Sequence, residues 1–177
     1  EVEQTLGSRS TAVTALRAGI IVGPGGSSFE IMEKLVKRLP AMLCPKWCKS
    51  PTQPIALEDT LTIIDYCLGN EKTFGEVIEI ANGEKTTYMD MLQVTAKVLN
   101  KKRYIRSVPI FSLGLSKLWV ALFSDSSTTF VSPLIESLRH NMTVEEHPLM
   151  KELGISYKSF EQAAKDTMEH REQLPPL

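Results

Sequence analysis

The apolar positions of the chain fall in short runs, each closed by residues that turn or cap. The first is TALRAGIIV, residues 14–22, where Ala15, Leu16, Ala18, Ile20, Ile21 and Val22 are apolar and Pro24-Gly25-Gly26 follows. With Thr11 it predicts one buried strand over residues 11–22, feeding a glycine-rich turn of the kind that opens a βα unit. In SSFE, Ser27 and Glu30 have capping-box spacing and predict a helix start. Ile31, Met32, Leu35, Val36 and Leu39 then recur at helical intervals up to Pro40, which cannot continue a helix.

AMLCPKW predicts a short extended piece. KSPTQPIAL predicts a second, interrupted by two prolines and therefore expected at an edge or between loops. Asp59 suits a helix start, with Leu61, Ile64, Cys67 and Leu68 on one face and Gly69 as the stop. EVIEIANG alternates and ends in Asn82-Gly83, a strand and turn. Thr87 and Asp90 have capping-box spacing ahead of a helix over 88–99, and YIRSVP reads as a strand. LMKELGISYKSFEQAAKDTMEH predicts a short helix, a turn and a final helix begun by Ser159 and Gln162. SLGLSKLWVALF, residues 112–123, is apolar nearly all round with Lys117 its one charge. It reads as a helix buried between layers or as a contact surface or lid over an apolar substrate. The order of elements gives an α/β fold with short strands and several helices, the strands too few and too interrupted for a complete doubly wound sheet.

Composition narrows the function classes. The 177 residues carry 20 basic and 21 acidic side chains. That balance, with only short clusters such as Lys34/Lys37/Arg38 and Lys101/Lys102/Arg103, gives no footprint for nucleic acid. No apolar run reaches the 18 residues of a membrane span, so a cytoplasmic protein with no transmembrane segment is expected. Three cysteines (Cys44, Cys48, Cys67) form an odd set that argues against a disulfide framework and for a reducing compartment. Cys44 and Cys48 lack a second ligand pair at zinc-finger spacing, and His140, His147 and His170 are scattered, so no metal site is expected.

Catalytic signatures are missing. GIIVGPGG has neither the G-x-G-x-x-G spacing nor the Walker pattern, and no G-x-S-x-G elbow occurs. Tyr66, Tyr88, Tyr104 and Tyr157 all lack a lysine four residues on, the arrangement that lowers a phenol's pKa for proton transfer. Read alone, the chain is catalytically incomplete.

The order of five motifs carries more. LRAGIIVGPGG, PIALEDTLTIIDYCLGN, GEVIEIANGEKTTYMDMLQVTAKVLNKK, RSVP and KELGISYKSFEQAAKDTM together resemble the C-terminal half of the extended and atypical short-chain dehydrogenase/reductases, the NAD(P)-dependent nucleotide-sugar epimerase/dehydratase-like proteins. VSPLIESLRHNMTV resembles the atypical members. The likeness runs over residues 1–169.

That resemblance implies a partial Rossmann-like fold and a single substrate-binding portion, residues 1–177, with the dinucleotide-binding half absent. Ala18, Gly19, Ile20 and Ile21 would line the nicotinamide of NAD or NADP. Gly23, Pro24 and Gly25 would form the entrance to the substrate cleft, and Phe29, Gln53 and Arg139 would contact the substrate. Asp59 would cap the following helix, and Lys46 and Lys49 lie a few residues before Gln53, where a pyrophosphate would need a cation. The family's catalytic lysine would fall just before Glu1, on the helix that EVEQTL finishes, so no catalytic residue is expected in the chain. In the intact protein a tyrosine would serve as general acid/base while NAD(P) takes or gives a hydride.

Two alternatives differ in class. One is a non-catalytic, epimerase-like scaffold with a redox-sensing or assembly role; the other is an independent small binding module. A strand edge left uncovered by an absent half predicts self-association.

Overall fold

Half of the expected first strand pairs with one neighbour and half with another. The computed structural model describes Thr5, Gly7, residues 12–108 and residues 142–173. Within them β1 (Ala15–Ala18) runs parallel to β6 (Val77–Ile80), with Ala15 opposite Val77 and Ala18 opposite Ile80. After a bend at Gly19, β2 (Ile20–Val22) runs parallel to β5 (Pro54–Ala56), with Ile20 opposite Pro54. The single strand predicted over residues 11–22 is thus two. Gly19 marks the step, and the atom nearest to a Cβ there would be the end of a flexible side chain, Met142 Cε at 3.2 Å.

Helix α1 (Ser27–Arg38) carries Phe29, Met32, Leu35 and Val36 on its buried face, with Glu30 in its first turn and Lys37 and Arg38 in its last, each favourable to the helix dipole. The N-cap is Gly26, one residue earlier than the predicted capping box requires. Then β3 (Ala41–Cys44) pairs in parallel with β8 (Tyr104–Ser107), and Lys46–Lys49 form a 3-10 turn. The two prolines of KSPTQPIAL do not break one edge strand. Each begins a strand, Pro51 in β4 (Pro51–Thr52) and Pro54 in the fully buried β5, where a missing N–H is tolerated. β4 is antiparallel to β7 (Thr86–Thr87).

Helix α2 (Leu57–Cys67) starts two residues before Asp59, with Ala56 as N-cap. In α3 (Tyr88–Val98) the predicted box forms as read: Asp90 N–H donates to Thr87 Oγ1 at 3.2 Å, and the Thr87 hydroxyl donates back to Asp90 Oδ2 at 2.6 Å. Helix α4 (Pro148–Leu153) ends at Gly154, which adopts the left-handed conformation. Helix α5 (Phe160–Gln173) is begun by Ser159, whose Oγ accepts the Gln162 N–H at 3.2 Å.

Two apolar cores result. The larger joins Ile20 and Val22 of β2 to Phe29, Val36, Met91, Leu92, Phe160 and Ala164 on α1, α3 and α5. The smaller holds Ile55, Ile63, Ile78, Ile80 and Met150. Each fully buried Ile or Phe contributes about 1.5–3 kcal/mol, so the sheet is fixed between helical layers. The apolar segment 112–123 and Arg139 lie outside the described residues, as does most of the predicted N-terminal helix tail. No described helix is long and apolar enough to cross a membrane.

Candidate functional site

Parallel α/β sheets bind ligands outside the carboxyl ends of their strands, which here means the ends of β2 and β5. Val22 leads into Gly23-Pro24-Gly25-Gly26. Gly26 N–H donates to Gly23 O at 3.1 Å and Gly25 has φ +77°, so the segment is a type II turn with proline and glycine in their preferred places. A Cβ on Gly23 would lie 2.4 Å from Leu57 Cβ, so this turn is laid directly on the start of α2. The glycines therefore serve a tight turn and close packing, and the turn's closing amide is already bonded rather than turned toward an anion.

Beside the turn is a cleft of about 180 Å³, lined by Val22, Gly23, Pro24, Ala56, Leu57, Glu58, Leu61, Lys158, Ala163, Asp166, Thr167 and His170. Its floor is apolar and its rim charged. Lys158 Nζ donates to Glu58 Oε2 at 2.5 Å and Asp166 Oδ2 at 2.6 Å, and His170 Nε2 lies 3.9 Å from Glu58 Oε1. Asp166 and then Glu58 hold the ammonium above the ordinary lysine range, and Lys158 in turn lowers Asp166. Two carboxylates around one ammonium leave this rim without a cation to spend on a phosphate. Gly25, expected at the entrance, is exposed and outside the lining.

The backbone of Lys158 is held as firmly as its side chain. Its N–H donates to Asp59 Oδ2 at 2.9 Å, and its carbonyl accepts Asn82 Nδ2 at 3.3 Å. Asp59 is thus not the cap of α2. It ties the start of that helix to the approach of α5.

The strand step brings Gly19 to Gln53: a Cβ on Gly19 would lie 4.0 Å from Gln53 O. Met142 sits over both, its N–H donating to Pro51 O at 3.0 Å and its sulfur accepting the Tyr88 hydroxyl at 3.5 Å. Gln53 is 4% exposed, and its Oε1 accepts Val144 N–H at 2.7 Å. It lines a recess of about 100 Å³ with Glu79, Ala81, Gly83, Val144, Glu146, Met150 and Tyr157. Burial, then Glu146 and Asp59, push the Tyr157 phenol up, so it keeps its proton.

Of the residues expected at the nicotinamide, Gly19 is exposed and Ile21 is 38% exposed, Ala18 is half-buried, and Ile20 is shut in the larger core. Phe29, expected at the substrate, is placed by the structure in the larger core. Its ring is 0% exposed and lies edge-on to Phe160 at 6.2 Å, joining α1 to α5. Phe29 precedes Met32 and Val36 at helical spacing, so it extends the apolar face read from Ile31 onward. Lys158 and Asp166 were missed, since nothing local marks a lysine that reaches two helices. Among the described residues no group of three or more His, Cys, Asp or Glu could hold a metal ion.

No protein-family model matches the chain, and no curated protein sequence matches it. Solved structures do. The Bordetella bronchiseptica enzyme WbmG in complex with NAD and UDP matches with a TM-score of 0.64 at 15% identity, over 97% of this chain and 47% of that one. A nucleoside-diphosphate-sugar epimerase from Staphylococcus aureus gives 0.64 at 11%, over 92% and 55%. The dTDP-4-dehydrorhamnose reductase of Bacillus anthracis, in complex with NADP, gives 0.60 at 13%, over 88% and 47%. The chain spans about half the length of these proteins. It shares, over that half, the Rossmann-like α/β fold of NAD(P)-bound reductases and sugar-nucleotide epimerases.

Proposed function

We propose that the chain is the substrate-binding portion of an NAD(P)-dependent sugar-nucleotide epimerase, dehydratase or reductase, and that further polypeptide supplies the dinucleotide-binding half. The observation that carries this reading is the match itself: nearly all of this chain is used, but only about half of each neighbour. An apolar stripe on α2 supports it. Leu61, Ile64 and Leu68 are 54%, 40% and 72% exposed and continue into exposed Phe74 and Val77, a face suited to another layer of the same fold.

In this arrangement Gly19 and Ile21 present backbone and side chain to the nicotinamide, beside Ala18, while Ile20 contributes only through the backbone. The bound cofactor supplies hydride transfer. This chain's part is to position: Gln53 holds residues 142–144 against β4 and β5, and Gly25 and Arg139 are further candidates at the substrate. The type II turn does not fit a phosphate cradle, so the pyrophosphate belongs to the other half.

The test uses two titrations of the isolated chain. With NADH or NADPH, nicotinamide fluorescence is expected to show no saturable enhancement. With UDP or dTDP, amide chemical shifts are expected to move weakly and saturably at Gly19, Ile21 and Gln53. Tight one-to-one dinucleotide binding overturns the reading, as does a nucleotide response confined to residues remote from these three.

A further inference from the structure

Two basic clusters that are short in the sequence meet in the fold. Lys34, Lys37 and Arg38 share the exposed face of α1, three and four residues apart. Lys101, Lys102 and Arg103 lead into β8. Arg103 joins the two, its Nε donating to Val36 O at 2.6 Å and its Nη2 to Lys37 O at 3.4 Å. Tyr104 N–H donates to Pro40 O at 3.0 Å, so β8 starts against the end of α1. The β3–β8 pair continues this surface. Ala41 lies opposite Tyr104 and Leu43 opposite Arg106, and the strand period of two puts these four residues on one face. All four are exposed, Leu43 by 53% and Tyr104 by 55%, while Met42 and Cys44 on the other face are buried. The Arg106 guanidinium stands 5.0 Å from the centre of the Tyr104 ring. Residues 39–57 and 91–108, which hold both strands and their flanks, contain seven Lys or Arg and no Asp or Glu, in a chain of net charge −1. Among the described residues, the carboxylates paired with this region are Glu33, on Lys37 at 2.6 Å, and Glu161, on Lys97 at 2.8 Å. Lys34, Lys101, Lys102 and Arg106 have no ion-pair partner among the described residues.

We propose that the exposed face of β3 and β8, with the basic residues around it, docks the chain onto a membrane surface rich in anionic phospholipid. Charge complementarity carries the proposal: cations gathered from α1 and from the approach to β8 meet the negative headgroups. Leu43 and Tyr104 supply the second signal that stable surface binding requires. The Leu43 side chain enters the headgroup boundary, and the tyrosine ring suits the same depth, with an apolar body and a polar tip. The lysine stems lie along that apolar surface while their ammonium groups reach the lipid phosphates. A nucleic acid would use the face less well. Leu43 has no group to hydrogen-bond a base, and Arg106 covers one side of the Tyr104 ring on which a base would stack. This docking stands apart from the proposed function, since Gly19, Ile21 and Gln53 belong to neither strand.

The test is flotation of the full chain with lipid vesicles on a density gradient, which leaves any soluble associated chain at the bottom. Vesicles of phosphatidylcholine and phosphatidylserine in equal parts are expected to carry the chain upward, and phosphatidylcholine alone is not. Raising the salt from about 0.1 M to about 1 M, which shortens the Debye length from about 10 Å to about 3 Å, is expected to release it. Lys101→Ala with Lys102→Ala is expected to weaken binding roughly thirtyfold. Leu43→Ser with Tyr104→Ser is expected to weaken it roughly tenfold. Lys72→Ala with Lys151→Ala removes the same charge on the side of α4 and is expected to bind as wild type does. Lys101 and Lys102 lie outside any strand, so their variant decides should the strand variant fail to fold. Equal flotation with neutral vesicles, binding indifferent to salt, or a control pair that loses as much as Lys101→Ala with Lys102→Ala overturns the proposal. So does a wild-type chain that stays at the bottom, or one that binds a labelled single-stranded RNA through these residues and not the vesicles.

Discussion

The carboxylate of Asp59 accepts the backbone N–H of Lys158 at 2.9 Å, across 99 residues of chain. Asp59 is 6% exposed, so the bond is shielded from water. A charge-assisted hydrogen bond of this kind is worth about 1.5–3 kcal/mol. Asp59→Ala is expected to lower the unfolding free energy by about 2 kcal/mol, and Asp59→Asn by less, because its amide oxygen still accepts. Urea denaturation measures both. Equal stability of wild type and Asp59→Ala would show that the bond does not hold α5 in place.

Phe29→Ala separates a core residue from a substrate contact. Removing a wholly buried aromatic ring costs about 3–5 kcal/mol, enough to unfold a marginal domain. Phe29→Leu should retain most of the stability. A Phe29→Ala protein as stable as wild type would contradict the edge-on packing against Phe160.

The apolar spacing of Ile31, Met32, Leu35 and Val36 and the caps at Thr87 and Ser159 are set within one or two helical turns, and such signals survive in the linear chain. The Asp59–Lys158 and Gln53–Val144 bonds join residues 99 and 91 apart, and no periodicity encodes them. Asp59 was legible as an acid in a first turn, not as the anchor of a distant segment. Gln53 was legible as a polar residue beside a strand, but its oxygen is occupied by an amide. The break at Gly19 escaped because Ile20 to Val22 continue the apolar run. Only a choice of pairing partner splits it. The order of motifs, by contrast, carried the fold.

Gly23 and Gly19 should respond oppositely to alanine. At Gly23 the new methyl meets Leu57 Cβ at 2.4 Å, an atom bonded directly to the helix backbone that cannot yield without moving α2. Overpacking of that sort costs about 1–3 kcal/mol. At Gly19 the nearest atom is Met142 Cε at 3.2 Å, the mobile end of a long side chain. Gly19→Ala should therefore fold with nearly native stability by urea denaturation. A reversed order would mean that the step between β1 and β2, not the turn on α2, is the tighter approach.

Acid should weaken the contacts of α5 first. Lys97 and then Lys165 hold Glu161 down to about 2. Lys158 lowers Asp166 as well. Both are depressed carboxylates, so their contribution is complete above the ordinary carboxylate pKa of about 4.3 and is lost as pH falls through the folded value. The urea midpoint is expected to decline between about pH 4.5 and pH 2. Glu161→Gln should flatten part of that decline while leaving the pH 5 to 7 plateau unsloped. An unchanged acid slope in Glu161→Gln would remove the pair with Lys97 from the account.

The stripe Leu61, Ile64, Leu68 gives the last test, since these side chains sit at i, i+3 and i+7 and face away from the buried Ile63. Three large apolar side chains on one exposed helix face favour association in water, where each buried methylene gains about 0.8 kcal/mol. The isolated chain is therefore expected to self-associate, with light scattering showing a mass above 19.7 kDa that rises with concentration. Replacing all three by serine removes the driving area. Exposed positions tolerate such changes within about 0.5 kcal/mol each, so the triple variant should fold and run as a monomer. A wild-type chain that is monomeric throughout would mean that the stripe does not join copies of this chain. A serine variant that still associates would move the interface to another surface, the exposed Leu43 and Tyr104 on β3 and β8 being the next to replace.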